Sequence, residues 1–106
     1  MYASLRTYRV GSGSIDALMH RVDRDFAEAL SQEPGFISYQ AIDTGHQMIM
    51  TVSLFETPAQ AEASNALAAE WVADELADFD LTRVGVIAGE AMVSRAAAAA
   101  LEPAHH

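Results

Sequence analysis

Between residues 15 and 31 the apolar side chains Ile15, Leu18, Met19, Val22, Phe26 and Leu30 fall three and four positions apart, which places them in one stripe along a helix. On either side of that stretch the spacing drops toward two. This change of period, strand to helix and back, occurs twice along the chain and leaves few architectures open. Residues 2–10, YASLRTYRV, read as a strand that stops at GSGS. Ser14 is placed to cap the helix that follows, Asp16 lies in its first turn, and EPG at 33–35 ends it. FISYQAID (36–43) and QMIMTVSLFE (47–56) read as two strands joined by TGH, where Gly45 can take positive φ. TPAQ then starts a second helix with three agreeing signals: Thr57 as cap, Pro58 in the first turn and Gln60 at the capping-box position. That helix is expected to run to about residue 78. LTRVGVIAGEAMV (81–93) closes the pattern as a strand, with Gly85 and Gly89 predicting a bulge or a close backbone approach.

The order β-α-β-β-α-β predicts an α+β, ferredoxin-like fold: two split βαβ units, a four-stranded antiparallel sheet, and both helices on one face. The other face then needs a partner or polar side chains. In 36–43, strict alternation puts Phe36, Ser38, Gln40 and Ile42 on one side and Ile37, Tyr39, Ala41 and Asp43 on the other. In the next strand Met48, Met50, Val52 and Leu54 oppose Ile49, Thr51, Ser53 and Phe55, so most positions are apolar on both sides. A bare apolar sheet face is unusual for a monomer. The expected solution is a homodimer packed sheet to sheet about a two-fold axis.

A chain of 106 residues suits one domain, expected over 1–95, with RAAAAALEPAHH after Ser94 leaving a low-complexity tail over 96–106. The terminal pair His105 and His106 is weak as a metal site, and no metal is expected. The formal net charge of −9 repels nucleic acid and anionic membrane surfaces, so neither is an expected partner. There is no cysteine and no lysine, since all six basic residues are arginine. Disulfides, thiolate nucleophiles and Schiff-base chemistry are thereby excluded. The start MYASLRTYRV lacks the pattern of a signal peptide, and the expected location is cytoplasmic.

Two stretches carry a family resemblance. EPGFISYQAID and LFETPAQAEASNALAAEWVADEL resemble the Pro-Gly-Phe turn with second strand, and the third-strand exit with second helix, of the antibiotic biosynthesis monooxygenase-like proteins. The resemblance spans roughly residues 2–94. It implies a dimeric α+β barrel with a small cavity in each subunit between sheet and helices. Members include oxygenases of quinols and anthrones that use no metal or flavin, haem-degrading enzymes, and many without known activity. For the haem branch the resemblance implies an Asn on the first strand, a Trp on the second helix and an axial His further along it. Trp71 matches the Trp, but YASLRTYRV has no Asn and residues 58–78 have no His. No cofactor is therefore expected.

Oxygenation without a cofactor needs a deprotonated substrate, a group that stabilises the anion, and a dry pocket. Arg6 can stabilise an enolate, and Tyr8 and Tyr39 can donate hydrogen bonds. Arg6 and Tyr8 share a strand face. Trp71, the sole tryptophan, either fills the core or walls a cavity for a planar ligand. Arg6, Tyr8, Tyr39 and Trp71 are the candidate site residues. The opposing reading of Arg6 is an ion pair with a carboxylate at the sheet surface or across a dimer. Asn65 lies six residues before Trp71, about 240° around a helix, so the two are not expected to point at one spot; a solvated Asn65 or one bonded to a nearby loop is the simpler expectation. His20, at the edge of the first helical stripe, and His46, in the turn, are weaker candidates for a base. Asp74, Glu75, Asp78 and Asp80 read as a solvated acidic run. The function these residues point to is that of a small dimer resembling the cofactor-independent monooxygenases, acting on a planar aromatic such as a quinol or polyketide-like phenol. The alternative is a non-catalytic ligand-binding or structural dimer.

Overall fold

The computed structural model describes residues 1–95; the expected tail, with His105 and His106, lies outside the described residues. Four strands and two helices follow in the expected order: β1 (Tyr2–Val10), α1 (Ile15–Arg21, continuing through Val22–Ala27 and Glu28–Ser31), β2 (Phe36–Gly45), β3 (Met48–Phe55), α2 (Pro58–Asp74) and β4 (Leu81–Glu90). The strands form one antiparallel sheet in the order β2-β3-β1-β4. Both helices lie on one face, hereafter the inner face. No helix among the described residues is long and apolar enough to cross a membrane.

The middle of α1, Val22–Ala27, is a π-helix. The sequence supplies the reason. Leu18, Val22, Phe26 and Leu30 recur every four residues and are all buried. In an α-helix each step of four drifts about 40° around the axis. A wider turn with i→i+5 bonding reverses that drift and keeps the whole row against the sheet.

The caps match their sequence signals. The Ser14 hydroxyl accepts from the Ala17 amide at 3.1 Å. Thr57 and Gln60 bond reciprocally, each side chain accepting from the other's backbone amide, at 3.3 and 3.1 Å. Gly35 is required beside this cap: its φ is +77°, and a Cβ there would collide with the Gln60 carboxamide. The Pro34-Gly35 turn thus seats the start of α2. That helix stops earlier than expected, at Asp74, and a 3-10 turn, Ala77–Phe79, leads to Asp80 in the left-handed region. The β2–β3 turn residues are His46 and Gln47, both at positive φ, the geometry in which a two-residue hairpin matches strand twist.

One register expectation fails. Phe36 pairs with Phe55 but Ser38 pairs with Leu54, so Ile37 is an extra residue. The bulge returns Phe36 to the inner face beside Tyr39 and Ala41, where its ring meets Phe55 edge-on at 5.8 Å. Strict alternation had set Phe36 with Ser38, Gln40 and Ile42. A second irregularity, between Thr7 and Tyr8 against β4, leaves Val84 as the extra residue next to Gly85.

Candidate functional site

On β1 the residues facing the helices are Ser4, Arg6, Tyr8 and Val10; on β3 they are Ile49, Thr51, Ser53 and Phe55. All eight are buried. Half of this covered surface is polar, which is not what a packing core requires. At its centre Arg6 is 0% exposed. Its guanidinium donates to four oxygens: Thr51 Oγ1 (3.1 Å), Ser53 Oγ (2.7 Å), the Ser64 carbonyl (3.3 Å) and Asn65 Oδ1 (3.0 Å). None of these carries a charge. Burial pushes the Arg6 pKa below its ordinary value, and the nearby Arg83 acts in the same direction. The ion pair with a carboxylate weighed for Arg6 is not formed; its partners are neutral oxygens of β3 and α2.

Asn65 corrects a second expectation. It is half-buried and bonds to β1 rather than to a loop: its Oδ1 also accepts from the Ser4 hydroxyl at 2.7 Å. Six residues along a helix leave it about a third of a turn from Trp71. The two residues flank the inward face of α2, with Asn65 over Ser4 and Arg6, and Trp71 against Phe26. Both edges of the helix therefore reach the same layer.

A cavity of about 20 Å³ lies between sheet and helices, and Arg6, Tyr8, Tyr39 and Trp71 all line it, with Thr51 and Phe26. The four candidate residues, drawn from three elements, are brought together at one place. Trp71 is half-buried. The Phe26 ring meets Trp71 edge-on at 5.7 Å and Tyr39 at 5.5 Å, so the π-helical stretch of α1 supplies the aromatic contact between them. Tyr39 as a whole is half-buried, but its hydroxyl end is enclosed. Burial pushes its pKa well above the ordinary tyrosine value, outweighing the neighbouring Arg6 and Thr51, which pull it down. Tyr39 is thus held as a proton donor. The cavity has room for about one water, so an aromatic ligand must displace part of its wall.

Outside the cavity lies a larger, open groove of about 450 Å³ between α2 and β4, lined by Ala69, Val72, Ala73, Leu81 and Arg83 among others. Val72 and Leu81 line both spaces. Arg83 was missed in the sequence. It donates to the Asn65 carbonyl at 3.2 Å and its guanidinium carbon stands 6.0 Å from the Tyr8 ring centroid. The available signal was its two-residue spacing from Leu81, which puts both on the inner face of β4.

His20 and His46 are exposed and do not line the cavity. Asp74, Glu75, Asp78 and Asp80 are exposed as expected, and no cluster of potential metal ligands occurs among the described residues.

No protein-family model and no curated protein matches the sequence. Solved structures do match the fold. The heme-degrader MhuD from Mycobacterium tuberculosis, with two hemes bound in its active site, is 20% identical with a TM-score of 0.68, over 91% of this chain and 100% of that one. HapK from Hahella chejuensis is 15% identical with a TM-score of 0.67, over 92% of this chain and 99% of the other. A candidate antibiotic biosynthesis monooxygenase from Deinococcus radiodurans is 20% identical with a TM-score of 0.66, over 92% and 98%.

Haem fits this chain's cavity poorly. No imidazole, thiol or thioether lines it. Of the two phenols that do, Tyr39 is held protonated by burial, which opposes ligation as a phenolate. The chain has the ferredoxin-like fold of these proteins, the fold that its sequence resemblance to antibiotic biosynthesis monooxygenase-like proteins implied.

Proposed function

We propose that the protein binds a planar aromatic phenol or quinol between its sheet and helices and oxygenates it with dioxygen, without metal or flavin, as a homodimer. One observation carries this reading: a fully buried guanidinium with only neutral partners stands at the wall of a cavity shared with Tyr8, Tyr39 and Trp71. A buried cation without a counter-charge is costly in a structure and useful to a ligand that becomes negative.

The chemistry balances with the substrate as the only reductant. A phenol or anthrone anion gives electrons to dioxygen and a carbon–oxygen bond forms. The oxygen–oxygen bond then breaks, leaving one oxygen as a new carbonyl and releasing the other as water. Arg6 stabilises the anion and Tyr39 donates a hydrogen bond to its oxygen. Trp71 and Phe26 enclose the ring and exclude water. A shift of Val72 and Leu81, which line both the cavity and the outer groove, would give the ligand the volume that the cavity lacks.

The dimer reading is supported by the outer sheet face. There Leu5, Met50, Val52 and Leu54 are half-buried, and on β4 Ile87 is 72% exposed. Structures of this fold include one described as a dimeric ferredoxin-like protein.

The alternative, a non-catalytic dimer, is favoured by the small size of the cavity. Titration of Trp71 fluorescence with naphthohydroquinone under nitrogen, followed by admission of oxygen, separates the two. Saturable quenching followed by stoichiometric oxygen uptake supports the oxygenase. Quenching without uptake selects the binding protein. Arg6→Met is expected to remain folded by circular dichroism, since a buried charge is replaced by an apolar chain of similar length, and to weaken the quenching by about tenfold or more. An unchanged titration in that variant rules out Arg6 as the anion-stabilising group.

A further inference from the structure

The cavity has no base. Among the described residues that line it there is no carboxylate and no imidazole, and Tyr39 keeps its proton. A ligand that had to be deprotonated in place would find no acceptor.

The same site has more positive charge than it can neutralise. In a chain with formal net charge −9, ion pairs among the described residues join Met1 to Glu90, and Arg21 and Arg24 to Asp25. Arg6 and Arg83 join none of these pairs. Asn65 holds the two together, its Oδ1 accepting from Arg6 and its carbonyl from Arg83. They also line two neighbouring spaces, Arg6 the inner cavity and Arg83 the outer groove, with Val72 and Leu81 as the wall common to both. Along α2 the groove wall is built from Ala69, Val72 and Ala73, small side chains that leave room for a flat body. Asp80 also lines the groove, but its carboxyl group lies against Gly11, where a Cβ would collide with it. It is therefore turned toward the loop after β1.

We infer that the ligand is a planar aromatic anion, already ionised at neutral pH, whose ring lies in the groove between α2 and β4 and whose charged oxygen group is held by Arg6 and Arg83. This rests on the reading that an aromatic ligand occupies the site, and it narrows the substrate class from neutral quinols to aromatic acids and acidic enols. Both sources share one chemistry, an anionic oxygen on a flat apolar body. Two guanidiniums with unused donors fit such a group, and an already ionised ligand needs no base in the site in order to bind as an anion.

Three probes of similar shape test it, each titrated into the full chain and followed by calorimetry and by Trp71 fluorescence: 2-naphthoate, a carboxylate; 2-hydroxy-1,4-naphthoquinone, an enolate at neutral pH; and 2-naphthamide, the neutral counterpart of the first. At least one anion is expected to bind roughly tenfold or more tightly than the amide, and which one binds identifies the source. Arg83→Gln, at a half-buried position, should remove about tenfold of the anion affinity and leave the amide unchanged. Equal binding of amide and anions, or an equal loss for all three probes in Arg83→Gln, overturns the charged subsite while leaving an aromatic site in place. Absence of binding by every probe overturns both readings.

Discussion

The two faces of the sheet are built the wrong way round for a simple globular domain. The inner face, covered by both helices, buries Ser4, Arg6, Thr51 and Ser53 to 4% exposure or less. The outer face, which nothing among the described residues covers, carries Leu5, Met50, Val52 and Leu54, with Ile87 and Ile42 at 72% and 43% exposure. Hydrophobic burial alone would invert this distribution. The contrast separates two jobs. Part of the inner face holds the fold, Ile49 and Phe55 joining Leu18 and Leu30 of α1 in the core, and part buries polar side chains, the part proposed to meet a ligand. The outer face has the composition of an interface.

The largest effect expected from breaking this contrast is at Phe26. It is 4% exposed and touches both Tyr39 and Trp71, so Phe26→Ala should cost about 3–5 kcal/mol in urea denaturation. A loss below ~1 kcal/mol would mean that the aromatic cluster contributes little packing and that the apolar half of the inner face lies elsewhere. Next comes the outer face. Ile87→Asp should shift the proposed dimer to monomers in sedimentation velocity, weakening association by roughly 100-fold, the order of a charge buried against an apolar partner. Its circular dichroism should stay unchanged. A variant that stays dimeric would take β4 out of the interface.

The smallest effect concerns pH. The Tyr39 pKa is raised in the fold, first by burial. Below pH ~10 the phenol is protonated in both folded and unfolded chains and contributes no pH dependence. Above it the unfolded chain loses the proton while the fold retains it. Stability should then fall with pH, by up to about 1.4 kcal/mol per unit from this group. The difference between wild type and Tyr39→Phe in alkaline denaturation isolates that slope. Parallel curves for the two proteins would show that the Tyr39 hydroxyl is solvated rather than enclosed.

The order of elements was legible because it rests on local physics. Period, caps and breakers act within a few residues, so Ser14, the Thr57–Gln60 box and Gly35 announced their structures before any packing was known. Strand faces were legible wherever alternation ran unbroken, as in β1 and β3. They were misread at Phe36, because a bulge is set by what the partner strand and the layer beneath require. The early stop of α2 had no local breaker to mark it; Asp74 is followed by residues that a helix tolerates.

The sequence by itself determined the fold class, the charge balance, the functions excluded by lacking Cys and Lys, and the four residues that meet at the cavity. Only the tertiary structure decided what those residues face. Whether Arg6 pairs with a carboxylate or with neutral oxygens depends on which side chains of β3 and α2 arrive opposite it, residues 45 to 59 positions away in the chain. The role of Asn65, the pairing of Arg6 with Arg83 and the size of the cavity are likewise consequences of long-range packing. Local propensity contains no term for them, because electrostatic environment is set by distance in space and by burial, not by distance along the chain.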